Sequence, residues 1–174
     1  MLLRVLAAGV LALSTGQAGD RAARAPAPAA QPAAIEYFPA QASGAALLDA
    51  ALRRAKANGK DAVIVFGADW CHDSQALAKL LGSDAFVTEL GSRYAVTLID
   101  VGRPQTGGGQ NLDLVARLGV PKLASTPAMF VIAPDGRLLN GVKDAVSWRN
   151  ADSRKPADVL GWFRKLSRRA SPRG

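Results

Sequence analysis

Between Ser43 and Gly59 the residues Leu47, Leu48, Ala51, Leu52 and Ala55 fall on one face at helical spacing, and Asn58-Gly59 supplies a stop signal. Val63 to Phe66 follows as a short β-branched and aromatic run of buried-strand type. Gly67-Ala68-Asp69 breaks that run before a second helical pattern, Gln75, Leu77, Ala78, Leu80 and Leu81. Gly82-Ser83 interrupts the helix, and Ser83 caps a further short turn through Phe86, Val87 and Leu90. Tyr94 to Val101 is the next strand, and the helix between it and the first strand makes the pair a parallel βαβ unit.

Gly102 to Gln110, with Gly107-Gly108-Gly109, is predicted to be a flexible inserted loop, and it lacks the Lys-Ser/Thr ending of a phosphate-binding loop. Leu112, Val115, Ala116 and Leu118 form a short helix closed by Gly119. Met129 to Ile132 reads as a strand, Pro134-Asp135-Gly136 as a turn, and Leu138 to Val142 as an antiparallel partner strand. Pro156 to Leu166 closes the chain as a helix with Val159, Leu160, Phe163 and Leu166 inward. The predicted class is α/β: a central mixed sheet, part parallel and part antiparallel, with helices on both faces.

The ends read differently. Met1-Leu2-Leu3-Arg4 followed by the apolar Val5 to Leu13 has the form of a signal peptide, with small residues at Gly16 and Ala18 placing cleavage after residue 18. The apolar run is well short of the ~20 residues needed to span a bilayer, so stable membrane insertion is not expected. Residues 19–42 are an Ala/Pro-rich linker, and residues 43–170 are the one domain that 174 residues with 49% hydrophobic content leave room for. The expected location is secreted or periplasmic. The net charge of +8 is spread along the chain without interleaved aromatics, which speaks against nucleic acid as a partner. Its one dense cluster, Arg164, Lys165, Arg168, Arg169 and Arg173, reads as a solvated helix face and tail.

Cys71 is the only cysteine, and it stands at the junction between the first strand and the second helix. Unpaired N–H groups and the positive end of the helix dipole favour an anion there, so a thiolate is expected to be favoured at this position. An exported chain with an odd thiol carries either a reactive sulfur or an intermolecular partner. His72, the only histidine, contributes favourable charge when protonated and Asp73 opposes it. Adjacent helical residues do not face each other, which argues against a Cys-His catalytic pair. Cys71, His72 and Asp73, being consecutive, cannot converge on one metal ion without distorting the helix. No metal or cofactor is expected.

Trp70-Cys71-x-x-Ser74 after an apolar strand, followed by Thr126-Pro127 and the apolar strand Ala128 to Ala133, resembles the active-site layout of the thioredoxin-like superfamily over roughly Ala45 to Phe163. The resemblance implies a thioredoxin-like fold, a cis proline at Pro127 beside the reactive sulfur, and an extended substrate held by Trp70, Thr126 and Pro127. Two positions depart from that pattern. Ser74 stands where dithiol members carry a resolving cysteine, and Val65 stands where many thioredoxins bury a carboxylate. Ser74 is either a small helix residue or a hydroxyl partner for the Cys71 sulfur.

Two functions fit these residues. In the first, an exported monomer uses Cys71 as a monothiol nucleophile on protein or glutathione disulfides, with Ser74 and His72 assisting and an external reducing thiol resolving the intermediate. In the second, the groove is a non-catalytic binding module for an extended partner segment.

Overall fold

The computed structural model describes residues 35–40 and 43–170. The segment predicted to be a signal peptide and most of the predicted linker lie outside the described residues, as do the side chains of the C-terminal basic cluster beyond Leu166. Helix α1 spans Gly44–Ala57, with the Ser43 hydroxyl accepting the Ala46 N–H at 3.2 Å as its N-cap. Strand β1 (Asp61–Gly67) is buried throughout. Helices α2 (His72–Leu81) and α3 (Asp84–Leu90) lead to β2 (Tyr94–Asp100). The short pair β3 (Gly102–Arg103) and β4 (Gly108–Gly109) follows, then α4 (Leu112–Arg117), β5 (Ala128–Ile132), α5 (Val142–Ala145) and α6 (Pro156–Ala170).

The main sheet has the order β2-β1-β5, parallel between β1 and β2 and antiparallel between β1 and β5. A central strand with both edges paired must be apolar on both faces, which is why Val63 to Phe66 reads as a continuous hydrophobic run. Val63, Val65, Met129 and Val131 share one face with residues of α2, α3 and α6. Ala62, Ile64, Phe66, Ala128, Phe130 and Ile132 share the other with residues of α1 and α4. Val65, at the position of the missing carboxylate, is fully buried core.

α6 is fastened by aromatic edges: Phe163 meets Phe86 and Tyr94 at centroid distances of 5.0 Å each, and Trp162 meets Trp148 at 5.1 Å. Such pairs contribute about 0.5–1.5 kcal/mol each beyond their area. Tyr94 Oη also donates to the Phe163 carbonyl at 3.0 Å. Val159, Phe163 and Leu166 are buried as the periodicity predicts, and Leu160 is half-buried.

The predicted strand at Leu138 to Val142 does not form. Leu138 makes an isolated bridge to Ile132, Leu139 N–H donates to the Val131 carbonyl at 2.8 Å, and the ladder ends there. The Asn140 side chain then takes the place of the strand backbone. Its Oδ1 accepts the Val131 N–H at 2.8 Å and its Nδ2 donates to the Met129 carbonyl at 2.9 Å. With those β5 groups satisfied by an amide, the chain is free to turn at Gly141 into α5.

Among the described residues no helix is long and apolar enough to cross a membrane.

Candidate functional site

Cys71 is the N-cap of α2, in extended backbone conformation at φ −98° and ψ 115°. Its N–H donates to the Ala68 carbonyl at 3.1 Å and its carbonyl accepts the Gln75 N–H at 3.0 Å, so the thiol stands at the mouth of the first helical turn. The turn before it is held by Asp69, whose two carboxylate oxygens accept the backbone N–H groups of Tyr37 and Phe38, each at 2.9 Å. Phe38, 3% exposed, packs into the core at that point. Gln75 Nε2 closes the turn by donating to the Asp69 carbonyl.

The Cys71 sulfur lies 3.5 Å from the Thr126 carbonyl oxygen, 55 residues away in sequence. The Thr126–Pro127 peptide bond is cis, and both residues are buried. β5 starts immediately after Pro127 and pairs with β1, which itself runs into the Cys71 turn, so one strand pairing sets both halves of the site. Cys71 is 8% exposed and opens onto a groove of about 420 Å³.

Trp70 forms a lip of this groove, 42% exposed, with Nε1 donating to the Gly102 carbonyl at 2.7 Å. The predicted flexible insertion is thus a wall of the site. Asp100 Oδ1 accepts the Gly102 N–H at 3.1 Å, and Gln110 Nε2 donates to the same carboxylate. Gly102, at φ 60°, lies so close to the Gly108 carbonyl that an added Cβ would stand 2.4 Å from its oxygen. Gln105 Nε2 reaches across to the Ala124 carbonyl at 3.4 Å, tying the loop to the segment that precedes Pro127.

His72 is brought to a different partner than the thiol. Its Nδ1 lies 2.9 Å from Asp152 Oδ2 and 3.9 Å from Asp73 Oδ2, on an imidazole 80% exposed. Asp73 Oδ1 accepts the Asp152 N–H at 3.0 Å, which fastens the start of α2 to the turn at Ala151–Ser153. Burial holds the Asp73 carboxyl above the usual aspartate range, partly offset by that N–H. The exposed Asp152 carboxyl is held below it, first by the Ser153 hydroxyl and then by Asp73. Ligand-type atoms of His72, Asp73 and Asp152 lie within 4.8 Å of one another. This grouping recruits Asp152 in place of Cys71, and in the structure its members bond to one another.

Ser74 is fully buried, and its hydroxyl has no hydrogen-bond partner among the described residues. A Cβ on Gly67 would stand 2.8 Å from Ser74 Oγ, so the hydroxyl packs against β1 and not on the Cys71 sulfur. Sequence reasoning brought out Trp70, Cys71, Thr126 and Pro127. It missed Asp69 and Asp152; of the two, only Asp69, inside the motif, carried any local signal.

No curated protein matches the chain. Among solved structures it is similar to a disulphide isomerase from Xylella fastidiosa Temecula1, at 27% identity and a TM-score of 0.67, over 78% of this chain and 99% of the other. A family model described as thioredoxin-like matches residues 45–134, which includes both the Trp70-Cys71 turn and Thr126-Pro127, and the chain belongs to that thioredoxin-like family.

Proposed function

We propose that the chain performs thiol–disulfide exchange through Cys71, as a monothiol protein acting outside the cytoplasm on protein disulfides or glutathione mixed disulfides. The observation that carries this reading is the sulfur at the α2 N-cap, 3.5 Å from the carbonyl before the cis proline and open to a groove. The similarity to a disulphide isomerase at 27% identity supports the same chemistry. The Cys71 thiolate attacks one sulfur of R–S–S–R′, its electron pair becomes the new Cys71–S–S–R bond, and R′S⁻ departs and takes up a proton. An external thiolate R″S⁻ then attacks the R sulfur, forming R–S–S–R″ and returning the Cys71 thiolate. With Cys71 the only cysteine in the chain, no internal thiol can perform that second step. Trp70 and Thr126 border the extended substrate, with Pro127 fixing the backbone behind Thr126. His72 acts by holding the helix start through Asp152, and Ser74 fills the space beside Gly67 under the Cys71 turn.

The test is mass analysis after exposure to oxidised glutathione, followed by a small thiol. Wild type should gain one adduct that persists until thiol is added, and Cys71→Ala should gain none. The binding-module reading takes its place if no adduct forms while a partner segment still docks. Export is tested by terminal sequencing of the secreted protein, which should begin near Gly19.

A further inference from the structure

The groove at Cys71 is lined by two arginines from separate segments, Arg103 on β3 and Arg149 after the turn Val146–Trp148. Both are exposed, and neither has an ion-pair partner among the described residues. The Arg103 guanidinium stands 5.3 Å from the centroid of the Trp70 ring. A cation–π contact of this kind occupies none of the guanidinium N–H groups, so they remain available to a carboxylate. Asp73 is the one acidic residue among the lining residues, and its Oδ1 is already engaged by the Asp152 N–H. Gln105, Thr106, Ser125 and Thr126 complete a polar rim without charge.

We infer that the groove selects disulfides that carry carboxylates beside the reacting sulfur, with Arg103 and Arg149 as the specificity residues. The inference rests on the exchange reading above and names its substrate class. A carboxylate-flanked disulfide has two sources, glutathione and a peptide with acidic residues next to its cysteine, and both present the same chemistry to the two guanidinium groups. Binding precedes the exchange step already written and adds no further reactant. The groove's size, about 420 Å³, is that of a small-ligand or short-segment site.

The experiment measures the rate of adduct formation at Cys71 with three probes: oxidised glutathione, the disulfide of an Asp-Cys-Glu peptide with blocked ends, and the disulfide of its Asn-Cys-Gln counterpart. The readout is the ratio of each acidic probe's rate to the neutral one. Wild type should favour at least one acidic probe by up to about fivefold for each arginine, the upper end for a solvent-screened ion pair. That ratio should fall toward one in Arg103→Gln/Arg149→Gln, survive in part when both are changed to Lys, and shrink in high salt. Preference for glutathione or for the acidic peptide supports the inference either way and names the source. Adducts that form equally with all three probes, or a preference the double variant retains, overturn it while leaving exchange at Cys71 intact. Absence of any adduct overturns the exchange reading and this inference with it.

Discussion

Replacing Asn140 by Ala removes the side chain that stands in for a missing strand. Asn140 is 4% exposed, and the two groups it serves, Val131 N–H and Met129 C=O, belong to residues with no solvent exposure. Water cannot replace the amide there without opening the core. Each orphaned buried group costs about 1–3 kcal/mol, so Asn140→Ala should lose about 2–6 kcal/mol, a large share of the 5–15 kcal/mol typical of a domain. Asn140→Asp should be at least as damaging, because it keeps the acceptor for Val131 and turns an oxygen toward the Met129 carbonyl. The assay is urea unfolding, with the midpoint converted to free energy after the slope is shown to be unchanged. Amide exchange at Val131 should accelerate in parallel. A loss below about 1 kcal/mol at unchanged slope would refute the reasoning, because it would mean that the β5 groups find other partners.

Three further outcomes follow from the same contacts. Gly67→Ala should destabilise by about 1–3 kcal/mol, since the new Cβ would stand 2.6 Å from the Phe38 ring and 2.8 Å from Ser74 Oγ; an unchanged melting curve would contradict the close packing under the Cys71 turn. Ser74→Ala should stabilise by about 1 kcal/mol, because it removes a buried hydroxyl without a partner and improves helix propensity; a loss of stability would show that the hydroxyl is bonded. Burial raises the Asp61 carboxyl above the usual range, with Arg93 Nη2 at 3.0 Å opposing the shift. Its contribution to stability is therefore full below the unfolded value of about 3.9 and is lost as pH rises through the higher folded value. Asp61→Asn lacks that loss, so its stability relative to wild type should increase between about pH 3 and pH 7, and a flat or falling difference would reverse the sign of the argument.

The helices and strands that carry their own signals were readable from the amino-acid order. Ser43 and Ser83 cap the helices they precede, Val63 to Phe66 is the central strand, and Cys71 is an N-cap because Gly67-Ala68-Asp69 ends a strand just before a helical period begins. Each of these depends on groups within about one helical turn or a few strand residues, so the order alone determines them. The sequence also placed Cys71 and Thr126-Pro127 in one site, through the family resemblance that their order carries. What depended on distant segments was out of reach. An Asn after Leu138-Leu139 has the same composition whether the strand continues or its amide replaces the ladder, and only the position of β5 decided between them. His72 and Asp73 were weighed against their sequence neighbour Cys71, yet their partner is Asp152, 79 residues beyond Asp73. The glycine-rich stretch after β2 lacks any periodic pattern, and it became a wall of the groove because Trp70 and Gln105 bond across it. Hydrogen bonds and ion pairs between such segments depend on where the whole fold places each segment, so the tertiary structure alone decided which polar and charged side chains surround Cys71.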